Sequence, residues 1–248
     1  MIASPPMSVH FSAQSRRELV LVALSGIFIT NAILAELIGG KLIQAGPFTM
    51  SLGVLPWPIV FLTTDLINEY FGKEGVRRLT LFTVALILYA FAILFLGIEI
   101  PAVGFSPVKD EAFANVFGQS LWIIFGSAIV FLPSKLVAVL VFWFSRAKTA
   151  GKLLWLRATG STAISQLIDT FVIMGVAFYL PSVFELVPEA QRITFDQYVA
   201  TSASNYTYKL AIAVALTPLI YLGHSVIDKF LGAKESEHLI DKAAQDSL

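Results

Sequence analysis

Asp65 and Glu69 stand one helical turn apart in the run Asp65-Leu66-Ile67-Asn68-Glu69-Tyr70-Phe71-Gly72-Lys73, inside an otherwise apolar stretch. With Asn68 they share the i, i+3, i+4 face of a helix. Like charges at that spacing repel by roughly 0.2–0.5 kcal/mol even in water, and by more in a low-dielectric bundle. Such a pair must share a proton or be neutralised by cations and hydrogen-bond donors. A carboxylate can accept two parallel N–H bonds from an amidine-like edge, and an amide can serve a carbonyl edge. That combination suits a small, flat, polar heterocycle better than a bare ion. The structural alternative is that the acids bridge to Arg77, Arg78 or Lys135 and hold helices together.

Two further polar stripes accompany this one. Arg157, Ser161, Ser165 and Asp169 recur every four residues, flanked by Thr162, Gln166 and Thr170. The stripe is about 18 Å long at the helical rise, and a polar face of that length cannot point at lipid tails. It is expected to line a cavity. Farther on, Ser202, Asn205, Tyr206 and Lys209 cluster. Asp169 and Lys209 should sit at similar depth and close together as an ion pair, which either simply stabilises the bundle or has a gating role. Lys135, after Pro133 and Ser134, must find an anion, snorkel or deprotonate, and Asp65 is the best-placed partner by depth. Asn31 lies mid-helix beside Thr30, Glu36 lies nearer the outside, and Ala35 with Gly39 forms a small-xxx-small pair. The expected binding set is therefore Asp65, Asn68, Glu69, Gln166, Asp169, Asn205 and Asn31, with Lys135, Lys209 and Arg77 as gating or ion-pair residues. Phe171 and Tyr206 could flank a ligand, whereas Trp57 and Trp122 fit an outer interfacial belt.

The elements that must position these residues follow from composition. Of 248 residues, 56% are hydrophobic and only 14% charged, against about 25% charged in a soluble domain. Mean hydropathy is +0.77. Apolar runs exceed the roughly 20 residues that cross a bilayer. The chain reads as an all-α polytopic membrane bundle of six transmembrane helices. They run from about Glu18 to Gly40, Val54 to Phe71, Leu79 to Ile98, Ser120 to Phe144, Leu153 to Leu180 and Ala203 to Leu222. Pro133 and Pro218 fall inside spans and predict kinks. Twelve lysines and arginines fall before the first span and after the second, fourth and sixth, against Lys41, Lys109 and Arg192 on the other side. The positive-inside rule then makes both termini cytoplasmic. The whole chain, 1–248, is read as one domain with short polar tails at 1–17 and 233–248. The N-terminus lacks the pattern of a cleaved signal peptide, so the first span is expected to remain.

Several function classes are excluded or weakened. The chain has no cysteine, which removes disulfides and thiolate chemistry, and His10, His224 and His238 form no metal-binding pair. The formal net charge of zero gives no basis for nucleic-acid binding. No Walker sequence is present. An intramembrane enzyme lacks its usual dyads, leaving only Asp65 with Asp169 at different expected depths. The expectation is a non-enzymatic protein without cofactor or metal.

The run Phe61-Leu62-Thr63-Thr64-Asp65-Leu66-Ile67-Asn68-Glu69-Tyr70-Phe71-Gly72-Lys73, followed by Arg77, resembles the signature of the YhhQ-type queuosine precursor transporters, the vitamin uptake transporter family. Asn31 with Ile-Leu-Ala, Ser165-Gln166-Leu167-Ile168-Asp169-Thr170-Phe171, and Lys209 with Thr217-Pro218-Leu219-Ile220-Tyr221 are similar to it as well. The resemblance covers all six spans. It implies import through the cell inner membrane of 7-deazaguanine precursors, the 7-cyano and 7-aminomethyl forms, for the queuosine modification of tRNA, and in some relatives of queuine. An alternative is a substrate-binding subunit of an energy-coupling-factor type importer, which would need an energising partner. The oligomeric state stays open between a monomer and a homo-oligomer.

Overall fold

The computed structural model describes residues 13–119, 121–126, 154–215 and 217–245, and these are mostly helical. Helix α1 spans Ala13–Ile38. An antiparallel hairpin follows, β1 Leu42–Ala45 and β2 Phe48–Ser51, with Leu42 opposite Ser51. A 3-10 turn, Leu52–Val54, leads into α2, Trp57–Glu99, which has Pro58 in its first turn. Helix α3 covers 110–119 and 121–126. Helix α4, Leu154–Met174, continues through a π turn, Gly175–Tyr179, into the short α5, Leu180–Val183. Then come α6 Phe195–Ala215, α7 Thr217–Leu231 and α8 Ala233–Gln245.

Among the described residues, three stretches are long and apolar enough to cross a membrane: Gln14–Ile38, Glu74–Glu99 and Gln166–Val183. Most of the expected fourth span, with Pro133 and Lys135, lies outside the described residues. The hairpin replaces what the sequence presents as a bare link after the first span. Strands of four residues are too short to carry a period-two signal.

The expected link 72–78 is helical except at Gly72, whose φ of 70° and ψ of −177° break α2. That region of backbone space is open essentially to glycine alone. The polar tail after Ala233 forms α8, where Ser236, Leu239, Ile240 and Ala243 share one face. Ala243 lies directly against Gly72, and Leu239, 1% exposed, joins a core built from Val20, Leu24 and Phe28 of α1, Ile67 and Tyr70 of α2, and Ile227 and Leu231 of α7. A polar knot fastens the same end. Tyr70 donates to Asp228 Oδ1 at 2.6 Å and lies 3.0 Å from His224 Nδ1, and Ser236 also donates to Asp228 Oδ1. Arg16 donates to the Phe230 carbonyl at 3.3 Å, and Arg17 lies over the Phe71 ring.

Burial opposes ionisation of Asp228, but the hydrogen bonds from Ser236 and Tyr70 and the neighbouring His224 outweigh it and hold its carboxyl below the ordinary value. A lowered folded value stabilises above the unfolded carboxyl pKa of about 3.9 and is lost as pH falls through the folded value. Proteolysis of α8 should therefore be unchanged between neutral pH and about pH 5, and rise only below about pH 4. Loosening already at pH 6 would assign the contact to His224 instead. Gly72→Ala should lower stability by about 1–3 kcal/mol, read from thermal unfolding in detergent. An unchanged midpoint would show that α2 can pass this point in helical geometry.

Candidate functional site

At the end of the molecule opposite α8, the C-terminal turn of α1, the hairpin, the start of α2 and the facing parts of α4 and α6 surround an open cleft with about 460 Å³ of empty space. That space includes solvent at the open mouth of the cleft. Its walls include Glu36 from α1, Ser51 and Gly53 from the hairpin and turn, Trp57 from α2, Thr170 and Met174 from α4, Phe178 from the π turn, and Asn205 and Lys209 from α6.

Close backbone approach creates this shape. Gly53 packs so tightly that a Cβ there would lie 2.6 Å from the Ala35 carbonyl oxygen and 3.0 Å from Gly39 Cα. The small residues Ala35 and Gly39 thus receive the turn after the hairpin. Ser51 ties the parts together: its hydroxyl donates to the Gly39 carbonyl at 2.6 Å and accepts from Gly53 N–H at 3.2 Å, while its own N–H donates to Asn205 Oδ1 at 2.9 Å. The Asn205 amide nitrogen meets the Met174 sulfur at 3.2 Å, a weak acceptor. Hydrogen-bonding capacity therefore remains on the carboxamide facing the cleft.

The π turn supplies the other wall. A wide turn disturbs the i to i+4 ladder, and such turns recur at functional sites. Here side chains from elsewhere meet the backbone in and before the turn. Gln119 donates to the Ala177 carbonyl inside it, and Tyr198 donates to the Phe171 carbonyl of α4 at 3.0 Å. Tyr198 also stacks on Tyr179, with ring centroids 5.1 Å apart.

Lys209 is the charged centre of the cleft. Only 6% exposed, it donates to Thr170 Oγ1 at 3.4 Å and places Nζ 4.4 Å from the centroid of the Trp57 ring. A desolvated cation over an indole face is stabilised by about 2 kcal/mol. The carboxylates of Asp169 and Glu36 attract the same ammonium. Asp169 also receives a long hydrogen bond, 3.5 Å, from Gln166 Nε2, whose Oε1 is buried and accepts no hydrogen bond within the protein.

The residues expected from sequence separate into groups. Asn205 and Lys209 line the cleft, with Asp169 and Gln166 behind them. Asp65, Asn68 and Glu69 lie on an exposed face of α2, about 12–18 Å along the helix from Trp57 at 1.5 Å per residue. No described residue lies within hydrogen-bonding or ion-pairing distance of these three. Arg77 and Arg78 pair with Glu74, at 3.4 and 3.0 Å, rather than with either acid. Asn31 donates to the Ile27 carbonyl of its own helix at 2.9 Å. Lys135 lies outside the described residues. Sequence reasoning left Trp57 to an interfacial belt and kept Glu36, Ser51, Met174 and Phe178 out of the site. Only the i, i+4, i+8 row of Trp57, Phe61 and Asp65 could have drawn attention to Trp57.

Gly53→Ala should destabilise the protein by about 1–3 kcal/mol through overpacking, because backbone rather than a flexible side chain blocks the new methyl. Thermal unfolding checks this. A neutral result would mean that the hairpin lifts away from α1.

Comparison with known proteins bears on the chemistry. The sequence profile of a family described as "Putative vitamin uptake transporter" matches residues 51–223. A protein of Bacillus subtilis named "Probable queuosine precursor transporter" is 27% identical over 194 residues, covering 75% of this chain and 77% of its own. A Haemophilus influenzae protein of the same name is 25% identical over 175 residues, covering 68% of this chain and 66% of its own. No solved structure matches the chain. The relatives are named as transporters and not enzymes, and the long apolar helices of this chain suit a membrane. The matched region runs from the last residue of the hairpin into the first half of α7 and contains Trp57, Asp65, Asp169, Asn205 and Lys209, so this chain belongs to the vitamin uptake transporter family of membrane transporters.

Proposed function

We propose that this protein imports queuosine precursors across the cell inner membrane for tRNA modification, as one six-span domain with both termini cytoplasmic. The precursors are 7-cyano-7-deazaguanine and 7-aminomethyl-7-deazaguanine, with queuine as a further candidate. One observation carries the reading: a carboxylate (Glu36), a carboxamide (Asn205), an ammonium (Lys209) and an indole face (Trp57) converge on one cleft in a chain whose relatives are named for this transport. A guanine-like edge presents N–H donors that Glu36 or Asp169 can accept, and a carbonyl that the Asn205 amide can serve.

In this reading the cleft is the outer part of the route. Asp65, Asn68 and Glu69 form its inner part, with Arg77 toward the cytoplasmic mouth. Acids inside a membrane-spanning stretch are costly, by about 2.5–3.5 kcal/mol each on insertion scales, and face an interior or a water-filled path. That requirement favours a role in passage over one in helix packing.

In a strain unable to make the precursor, the wild-type gene should restore queuosine in tRNA. Glu36→Gln and Asp65→Ala, at equal membrane abundance, should each cut precursor uptake roughly 10- to 100-fold, the loss of one hydrogen bond to a charged group. Full uptake by Asp65→Ala would remove the α2 acids from the route. Absence of rescue by the wild type would reject the substrate class.

A further inference from the structure

We infer that the Trp57 indole is the platform on which a flat aromatic ligand stacks, and that in the empty carrier the Lys209 ammonium holds that place. The inference rests on the transport reading for its context and deepens it by naming how the site selects its ligand.

Among the described residues, the ring against Trp57 is that of Phe61, 5.6 Å away with planes tilted by 38° and one turn along the same helix. What does lie over the indole is Lys209 Nζ, 4.4 Å from the ring centroid and inside the cleft. This arrangement has two properties. It keeps the aromatic face from being bare, because an ammonium held over the ring quadrupole is attracted to it. The carboxylates of Glu36 and Asp169 also attract the same ammonium, so the ring is not its sole source of stabilisation. Lys209 therefore has two kinds of partner, the ring and the carboxylates.

A planar heterocycle entering the cleft can take the ring and move the ammonium toward the carboxylates. Its π face replaces the cation on the indole, and the ion pair made by the displaced lysine offsets the lost cation–π contact. A ligand with the same polar edge but no aromatic ring displaces the lysine without replacing it on the indole. The exchange thus selects for flat aromatic bases. Lys209 acts here as a competitor for the platform, and this separates the inference from a direct hydrogen bond between Lys209 and the ligand.

Binding of 7-aminomethyl-7-deazaguanine, guanine and adenine to the full-length protein in lipid nanodiscs tests this. Trp57→Phe should keep affinity within about threefold, and Trp57→Leu should lower it by roughly tenfold or more, the effect of losing a base–aromatic stack. Lys209→Met should tighten binding several-fold, because the competitor is gone. The Lys209 variant leaves the platform intact, so it decides the matter even where Trp57→Leu fails to fold. Weaker binding by Lys209→Met, or unchanged affinity in a folded Trp57→Leu protein that still binds the precursor, overturns the inference and leaves the transport reading standing. Trp57-dependent binding of guanine or adenine without binding of the precursor supports the platform and rejects the substrate. Binding of none of the three rejects both.

Discussion

Moving an ammonium group out of water and into a helix bundle costs several kcal/mol unless donors, rings or carboxylates compensate for it. Lys209 sits on α6 almost without solvent contact, and the elements around the cleft are arranged to meet that requirement. Thr170 offers a hydroxyl from α4, Trp57 an aromatic face from the first turn of α2, and Glu36 and Asp169 negative charge from α1 and α4. Four helices thus depend on one cation. The same groups that stabilise it are the ones a polar, planar ligand would use, which is why compensation of Lys209 and ligand recognition occupy one place.

The cleft also depends on backbone that departs from regular helix. A π turn, a four-residue hairpin and a glycine pressed against a carbonyl would each leave polar groups unpaired in a plain bundle, and buried unpaired groups are costly. Side chains close the gaps. Ser51 serves Gly39 and Gly53, Asn205 serves Ser51, Gln119 serves Ala177, and Tyr198 serves Phe171. These bonds join elements far apart in sequence, so the site is held by its second layer of contacts as firmly as by its own walls.

The two ends of the molecule are built differently. The cleft end is open and polar. At the other end Leu239 and Ala243 of α8 pack on the break at Gly72, and Tyr70, Asp228 and Ser236 form a knot beside them. Asp65 and Glu69 lie along α2 between the two. An open site at one end and a sealed core at the other is an arrangement suited to a carrier that exposes its ligand to one side at a time.

The sequence by itself determined the broad class. Long apolar runs with few charges leave only helices, because backbone polar groups in lipid must be satisfied within the segment. It also singled out Asp169, Asn205 and Lys209, since polar groups in such helices stand out against their background. The signature around Asp65 led to the family. Only the tertiary structure decided which polar residues share a site. Trp57 reads from sequence as a belt residue and Glu36 as an isolated acid, because what makes them matter is their distance from Lys209, more than 150 positions away along the chain. Arg77 and Asn31 drop out of the cleft for the complementary reason. Each finds a partner within its own helix, Glu74 for one and the Ile27 carbonyl for the other. Spacing along a helix fixes which residues share a face, while the packing of helices fixes what that face meets.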